Sequence, residues 1–298
     1  MKILITGSSG LIGSALVPVL IGDGHTIVRL VRRAPGADSA RWNPDDGSLD
    51  HGALQGIDAV VHLAGESIAS GRWTRARKAL ILNSRVRGTA LLARSVSALR
   101  DKPKIFLSAS AVGFYGDRGD ALLDESRPRG RGFLADVCAQ WEDAARPAAD
   151  AGIPVVTMRT GIVLSRAGGA LPKMLTPFKL GLGGALGAGT QYMSWIAIDD
   201  VVGAMQHLLR LDPVAGPVNL VAPDPVTNLE FTKTLGAVLG RPTVLRVPAF
   251  GLRLALGEMA DEMLLASTRA WPARLTASGY RFRYANLEAA LHHVVHDG

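Results

Sequence analysis

A short apolar run, Ile3-Leu4-Ile5-Thr6, passes directly into Gly7-Ser8-Ser9-Gly10-Leu11-Ile12-Gly13, after which apolar residues continue at Ala15, Leu16, Val19 and Leu20. Strand, Gly-x-x-Gly-x-x-Gly and helix in this order describe a turn that takes the pyrophosphate of a dinucleotide. Gly7 permits the tight turn, Gly10 lets the backbone reach the phosphates without an intervening Cβ, and Gly13 lets helix and strand pack closely. The first helical N–H groups point at the anion, and the helix dipole adds to the attraction. Gly7, Ser8, Ser9, Gly10, Leu11, Ile12 and Gly13 are therefore the expected phosphate cradle.

Four further strands read at Thr26–Val31, Asp58–Ala64, Lys104–Ser108 and Pro154–Arg159, with helical patterns over Arg75–Ala98 and Val137–Ala149. Near-continuous apolar strands alternating with helices predict an α/β fold, a Rossmann-type doubly wound parallel sheet covered on both faces. Ligands of such sheets lie outside the carboxyl ends of the strands. Leu63-Ala64-Gly65, Ser108-Ala109-Ser110 and Arg159-Thr160-Gly161 fall there, and Leu63, Ala64, Gly65 and Ser108 join the expected cofactor contacts. After residue 163 glycine-rich loops replace the alternation. The expected division is a dinucleotide-binding domain over 1–163, with 195–222 returning to the sheet through Gly216–Val221, and a smaller C-terminal substrate domain over 164–194 and 223–298. The run Gly181–Gly189 has neither a preceding strand nor a P-loop lysine pattern and reads as a lid or substrate-domain loop.

At 298 residues and 48% hydrophobic, the chain can bury a large core. Its one cysteine, Cys138, excludes an internal disulfide and suits a reducing, cytoplasmic setting. The first apolar run stops at Gly7, too short for a secretory h-region. No apolar stretch reaches membrane-spanning length, and no membrane partner is expected. The most apolar segment, Val247–Leu265, is interrupted by Arg253, Glu258, Asp261 and Glu262 and is expected as a core helix rather than an interfacial one. The net charge of +7 is spread along the chain in runs no longer than a pair, and aromatics are only 5%, so no nucleic-acid partner is expected. The seven histidines, including His292-His293, show no metal-ligand spacing. Arg32-Arg33, just past the second strand, stand where an acid would select NAD; arginine there suits a 2′-phosphate, so NADP(H) is expected over NAD. Trp42 either flanks the adenine or closes a core edge.

Together these residues resemble the extended short-chain dehydrogenase/reductase superfamily, through the glycine turn, Asp58-Ala-Val-Val-His-Leu-Ala64-Gly65, Ser108-Ala-Ser110, Tyr115-Gly116 and Ile198-Asp199-Asp200-Val201. Leu63-Ala-Gly-Glu66, Arg72-Trp73-Thr74, Ser84-Arg85, Arg159-Thr-Gly-Ile-Val-Leu164, Gly183-Gly184, Ser194-Trp195-Ile196 and Gly216-Pro-Val-Asn219 are similar to an atypical "epimerase family" branch of it. The resemblance runs nearly end to end. It implies a nicotinamide-nucleotide-binding domain with a small substrate domain, and no particular substrate.

Chemistry in that superfamily rests on Tyr-x-x-x-Lys, whose spacing puts both side chains on one helix face so that the Lys lowers the Tyr pKa. If Glu142 is the acid four residues beyond the Lys, Leu134 and Cys138 occupy the two positions; a slip of one gives Phe133 and Val137. Residues 130–142 contain no Tyr and no Lys, and none of the tyrosines at 115, 192, 280 and 284 has Lys four residues later. The dyad is absent.

Ser110 keeps the superfamily's place for a hydroxyl that orients a carbonyl. Glu66 is the nearby acid able to trade a proton, and Arg72 and Arg159 would meet an anionic or polar small molecule; the same groups could equally form ion pairs at a domain junction. Tyr115 is either a proton donor from a neighbouring loop or a packed aromatic. Cys138, with no His partner, reads as a buried structural thiol. The expected function is an NADPH-dependent oxidoreductase or epimerase-like enzyme with an unconventional proton donor, favoured by the polar pocket around Glu66, Arg72, Ser110 and Arg159; the alternatives are a catalytically inactive NADP(H)-holding sensor, which the missing dyad favours, or a regulatory partner of the kind associated with division. Monomer and homodimer remain open.

Overall fold

The computed structural model describes residues 1–33, 36, 38–211 and 214–297. One sheet of eight strands organises the chain: β1 (Lys2–Thr6), β2 (Thr26–Val31), β3 (Ser39–Asn43), β4 (Ser48–Leu49), β5 (Ala59–His62), β6 (Ile105–Ala111), β7 (Val155–Thr160) and β8 (Gly216–Leu220). Their order is β8-β7-β6-β5-β1-β2-β3-β4, parallel throughout except for the antiparallel β3–β4 pair. Successive connections leave β1 in opposite directions toward β2 and β5, so a crevice opens between the ends of β1 and β5.

Strands of this sheet alternate between two apolar faces, and helices cover both. The longer helices here are α1 (Leu11–Gly22), α2 (Arg75–Ser97), α3 (Phe133–Asp143) and α4 (Ile198–Arg210). Ile3, Ile5, Ile27 and Val61 pack against Leu16 and Leu20 of α1 and Met205 and Leu208 of α4. Leu4, Leu30, Val60 and Phe106 pack on the other face against Leu92 and Val96 of α2. Each such fully buried side chain contributes roughly 1.5–3 kcal/mol, which is why the sheet forms despite the glycine-rich turns at its edge.

Two elements depart from the sequence expectation. The helix expected over Val137–Ala149 is split: α3 starts at Phe133 and ends at Asp143, and a separate turn runs over Arg146–Asp150. Pro147, which cannot donate within a continuing helix, sits at the start of that new turn. The early start of α3 has a distant cause, because the Glu262 carboxylate accepts hydrogen bonds from the amides of Phe133 and Leu134 at 2.7 and 2.9 Å. The β3–β4 ribbon lies outside the expected strands, its residues being short runs between polar turns.

Beyond the sheet, Leu164, Leu171, Trp195, Phe231, Leu235, Leu287 and Leu291 form another core around α5 (Asn228–Leu239). A capping box between Thr227 and Glu230 starts that helix. Within the glycine-rich run, Gly184–Leu186 is a strand paired in parallel with Leu245–Val247. The expectation of a core helix in Val247–Leu265 is corrected: α6 (Ala249–Leu256) buries no residue, and only Met259 and Ala260 beyond it enter the interior.

Candidate functional site

The glycine turn lies at the β1–β5 crevice. Gly7 has φ +69°, and a Cβ there would sit 2.8 Å from Ala64 N and Leu63 C. A Cβ on Gly13 would come within 2.3 Å of Gly7 O. Only glycine therefore allows the start of α1 to lie against β1 while the loop after β5 closes over it. At the start of α1 the first amides have no intrahelical acceptor, as at any helix N-terminus, and they face the turn. The backbone cradle fits a pyrophosphate.

A buried relay supports the same loop. Thr6 Oγ1 accepts from the amides of Leu63 and Ala64, each at 3.2 Å, and lies 2.7 Å from His62 Nδ1. His62 Nε2 lies 2.9 Å from Thr89 Oγ1, which donates to Arg85 O at 2.8 Å. Those directions fix the proton of His62 on Nε2. Burial pushes its pKa down to about 4, so the ring stays neutral.

Arg32 and Arg33 are exposed immediately after β2 and make no ion pair with a described residue. Trp42 is 3% exposed, packed with Leu4 and Leu30 and edge-on to His62 at 6.0 Å. Leu63 and Ala64 are half-buried, Gly65 is exposed and Ser108 is fully buried.

Two of the residues expected to face a substrate, Ser110 and Arg159, are joined through Glu142. Ser110 donates to Glu142 Oε1 at 2.7 Å. Arg159 grips the same carboxylate through Nε to Oε1 and Nη2 to Oε2, both at 2.9 Å. Its Nη1 donates to the Tyr115 hydroxyl at 3.1 Å, and that hydroxyl donates to Asn219 Oδ1 at 2.8 Å. The guanidinium also lies 3.5 Å from the Phe114 ring centroid. Burial opposes the charge on Arg159, but Glu142 outweighs it and holds its pKa above the ordinary value. Burial raises the Tyr115 pKa. In this structure Tyr115 is packed at 0% exposure, and Arg159, 4% exposed, is paired with Glu142.

Glu66 is held by Arg77, whose Nη1 and Nη2 lie 3.3 and 3.2 Å from Oε1, while Arg85 donates to the Glu66 carbonyl at 2.9 Å. The Glu66 side chain keeps 30% of its exposure. Arg72 is exposed beside Gly257. On α3, Leu134 and Cys138 both face Gly113, two turns and one turn before Glu142 on the same helix face. Cys138 is buried, and burial together with the Glu142 charge pushes its thiol up to about 12.

Arg77, Glu258 and Glu262 were missed in the sequence. Glu258 binds Lys78 at 2.6 Å, and Lys78 stands 4.6 Å over the Phe133 ring. Neither acid carries a local signal, since their partners lie 180 and 129 residues away.

Residues 3–220 match the family model described as the NAD dependent epimerase/dehydratase family, and residues 247–294 match one described only as a domain of unknown function, DUF1731. An epimerase family protein of Mycobacterium bovis is 46% identical over 290 residues, covering 97% of this chain and 96% of the relative. The epimerase family protein SDR39U1 of Homo sapiens is 38% identical over 298 residues, covering 99% and 100%. A crystal structure of the human protein with NADPH superposes with a TM-score of 0.91 at 34% identity, covering both chains completely. A structure described as a nucleoside-diphosphate sugar epimerase from Corynebacterium glutamicum gives 0.83 at 39% identity, covering 99% of this chain and 58% of that one. Among the described residues no helix is long and apolar enough to cross a membrane.

Proposed function

This chain belongs to the NAD dependent epimerase/dehydratase family, and we propose that it binds NADP(H) without carrying out the family's tyrosine-driven epimerisation. Gly7 to Gly13 take the pyrophosphate, and Arg32 and Arg33 take the 2′-phosphate. The NADPH in the human relative's structure supports the same choice of cofactor. When bound, the nicotinamide supplies a hydride; what this chain adds is placement and charge.

The observation that carries the rest of the reading is the closed set Ser110–Glu142–Arg159–Tyr115. A carbonyl reduced by hydride needs a proton, and an epimerisation needs one removed and returned. Leu134 and Cys138 offer neither, and the Ser110 hydrogen is already given to Glu142. The chain is best read as an NADP(H)-holding protein, a sensor or regulatory partner, built on an enzyme's frame.

A second reading, an oxidoreductase acting on a polar small molecule, is favoured by Glu66 and Arg72, which keep access to solvent. Glu66 would carry the proton and Arg72 would meet a substrate anion. Screening a broad panel of carbonyl compounds for NADPH oxidation, with Glu66→Gln as control, separates the two. Turnover lost in Glu66→Gln selects the enzyme, whereas NADPH binding without turnover selects the holder. Failure to bind NADPH at all would sink both.

A further inference from the structure

Six of the eleven strongly exposed large apolar side chains among the described residues fall in two segments of the C-terminal part. On α6, Phe250 is 73% exposed and Leu254, one turn later, 77%. The strand leading into it carries Leu245 at 45%, preceded by Val244 at 84%. Leu245 is paired with Gly184 in a parallel ladder, which brings Leu180 and Leu182, 69% and 58% exposed, to the end of the pair where Val244 stands. Side chains of this size are left in water where something else covers them.

The exposed charge near them that lacks an ion pair is basic: the acids that follow α6, Glu258 and Asp261, are already paired with Lys78 and Arg253. Arg253 is paired with Asp261, but Lys179, Arg241 and Arg246 are exposed and have no ion pair with a described residue. In a two-fold contact between copies the same patch meets itself, setting these three unpaired cations against one another. An anionic bilayer surface satisfies both features, taking apolar side chains at its headgroup boundary and cations against its phosphates.

We propose that this face docks on an anionic lipid surface, with Phe250 and Leu254 entering the headgroup boundary and Lys179, Arg241 and Arg246 against the headgroups. The chain lies on the membrane and does not span it. The proposal is independent of the dinucleotide site, and it gives the start of the 247–294 segment a task.

Flotation of the full chain with phosphatidylcholine vesicles, with and without phosphatidylglycerol, tests it. Binding is expected only with phosphatidylglycerol and should weaken as salt is raised. The charge reversal Lys179→Glu, Arg241→Glu, Arg246→Glu should lower partitioning by at least about fivefold per cation. Phe250→Ser with Leu254→Ser should abolish it while the melting transition stays in place, since neither side chain is buried. No binding to either vesicle overturns the proposal, as does equal binding to both. A concentration-dependent dimer that dissociates in the Phe250→Ser, Leu254→Ser variant also overturns it and assigns the face to a second copy.

Discussion

The Ser110 hydroxyl and the Glu142 carboxylate are 2.7 Å apart, with Ser110 donating. Ser110, at the end of β6, has its hydrogen turned inward to a carboxylate already paired with Arg159. The Glu142 and Arg159 side chains are 14% and 5% exposed, so the charges are screened by each other rather than by water.

Arg32→Ala with Arg33→Ala should weaken NADPH binding by about 1.5–3 kcal/mol for each charge-assisted hydrogen bond removed and leave NADH nearly unchanged. Fluorescence titration or calorimetry reads the ratio. Equal affinity of the unaltered chain for the two cofactors would remove the arginines from the selection.

Glu142→Gln or Arg159→Met alone leaves the opposite charge buried, and each should cost about 3–5 kcal/mol in urea unfolding. The double change Glu142→Leu, Arg159→Met should cost clearly less than the two single values added, because neither charge then remains. Additive losses would mean that the pair is not coupled.

His62 makes stability fall on the acid side. Its ordinary pKa of 6.5 applies to the unfolded chain and the folded value is about 4. Between these the unfolded state takes a proton that the native state refuses, so this contribution is complete above about pH 6.5 and is lost progressively as the pH falls toward about 4, by at most about 1.4 kcal/mol per pH unit. Unfolding free energies across this window, in the original chain and in His62→Gln, measure it. An unchanged slope in the variant would place the acid sensitivity elsewhere.

Cys138, 3% exposed with its thiol pushed up to about 12, should resist iodoacetamide near neutral pH and react fully once the chain is unfolded. Rapid labelling of the native protein, followed by mass spectrometry, would show that α3 opens.

The doubly wound sheet and the dinucleotide turn are legible in the amino-acid order alone. Both rest on short-range rules: apolar strands buried on two faces, and glycines at fixed spacing where Gly7 and Gly13 leave no room for a Cβ. That α3 carries no tyrosine or lysine is equally a matter of composition. What the polar residues do was settled by folding instead. Arg159 meets Glu142 from 17 residues away, Tyr115 meets Asn219 from 104, and Phe133 meets Glu262 from 129. A carboxylate beside a crevice and one inside an ion pair have the same sequence; burial and the partner brought by the fold set the difference. The exposure of Phe250 and Leu254 was hidden for the same reason, since an apolar run records what a helix could bury and not what the fold brings to cover it.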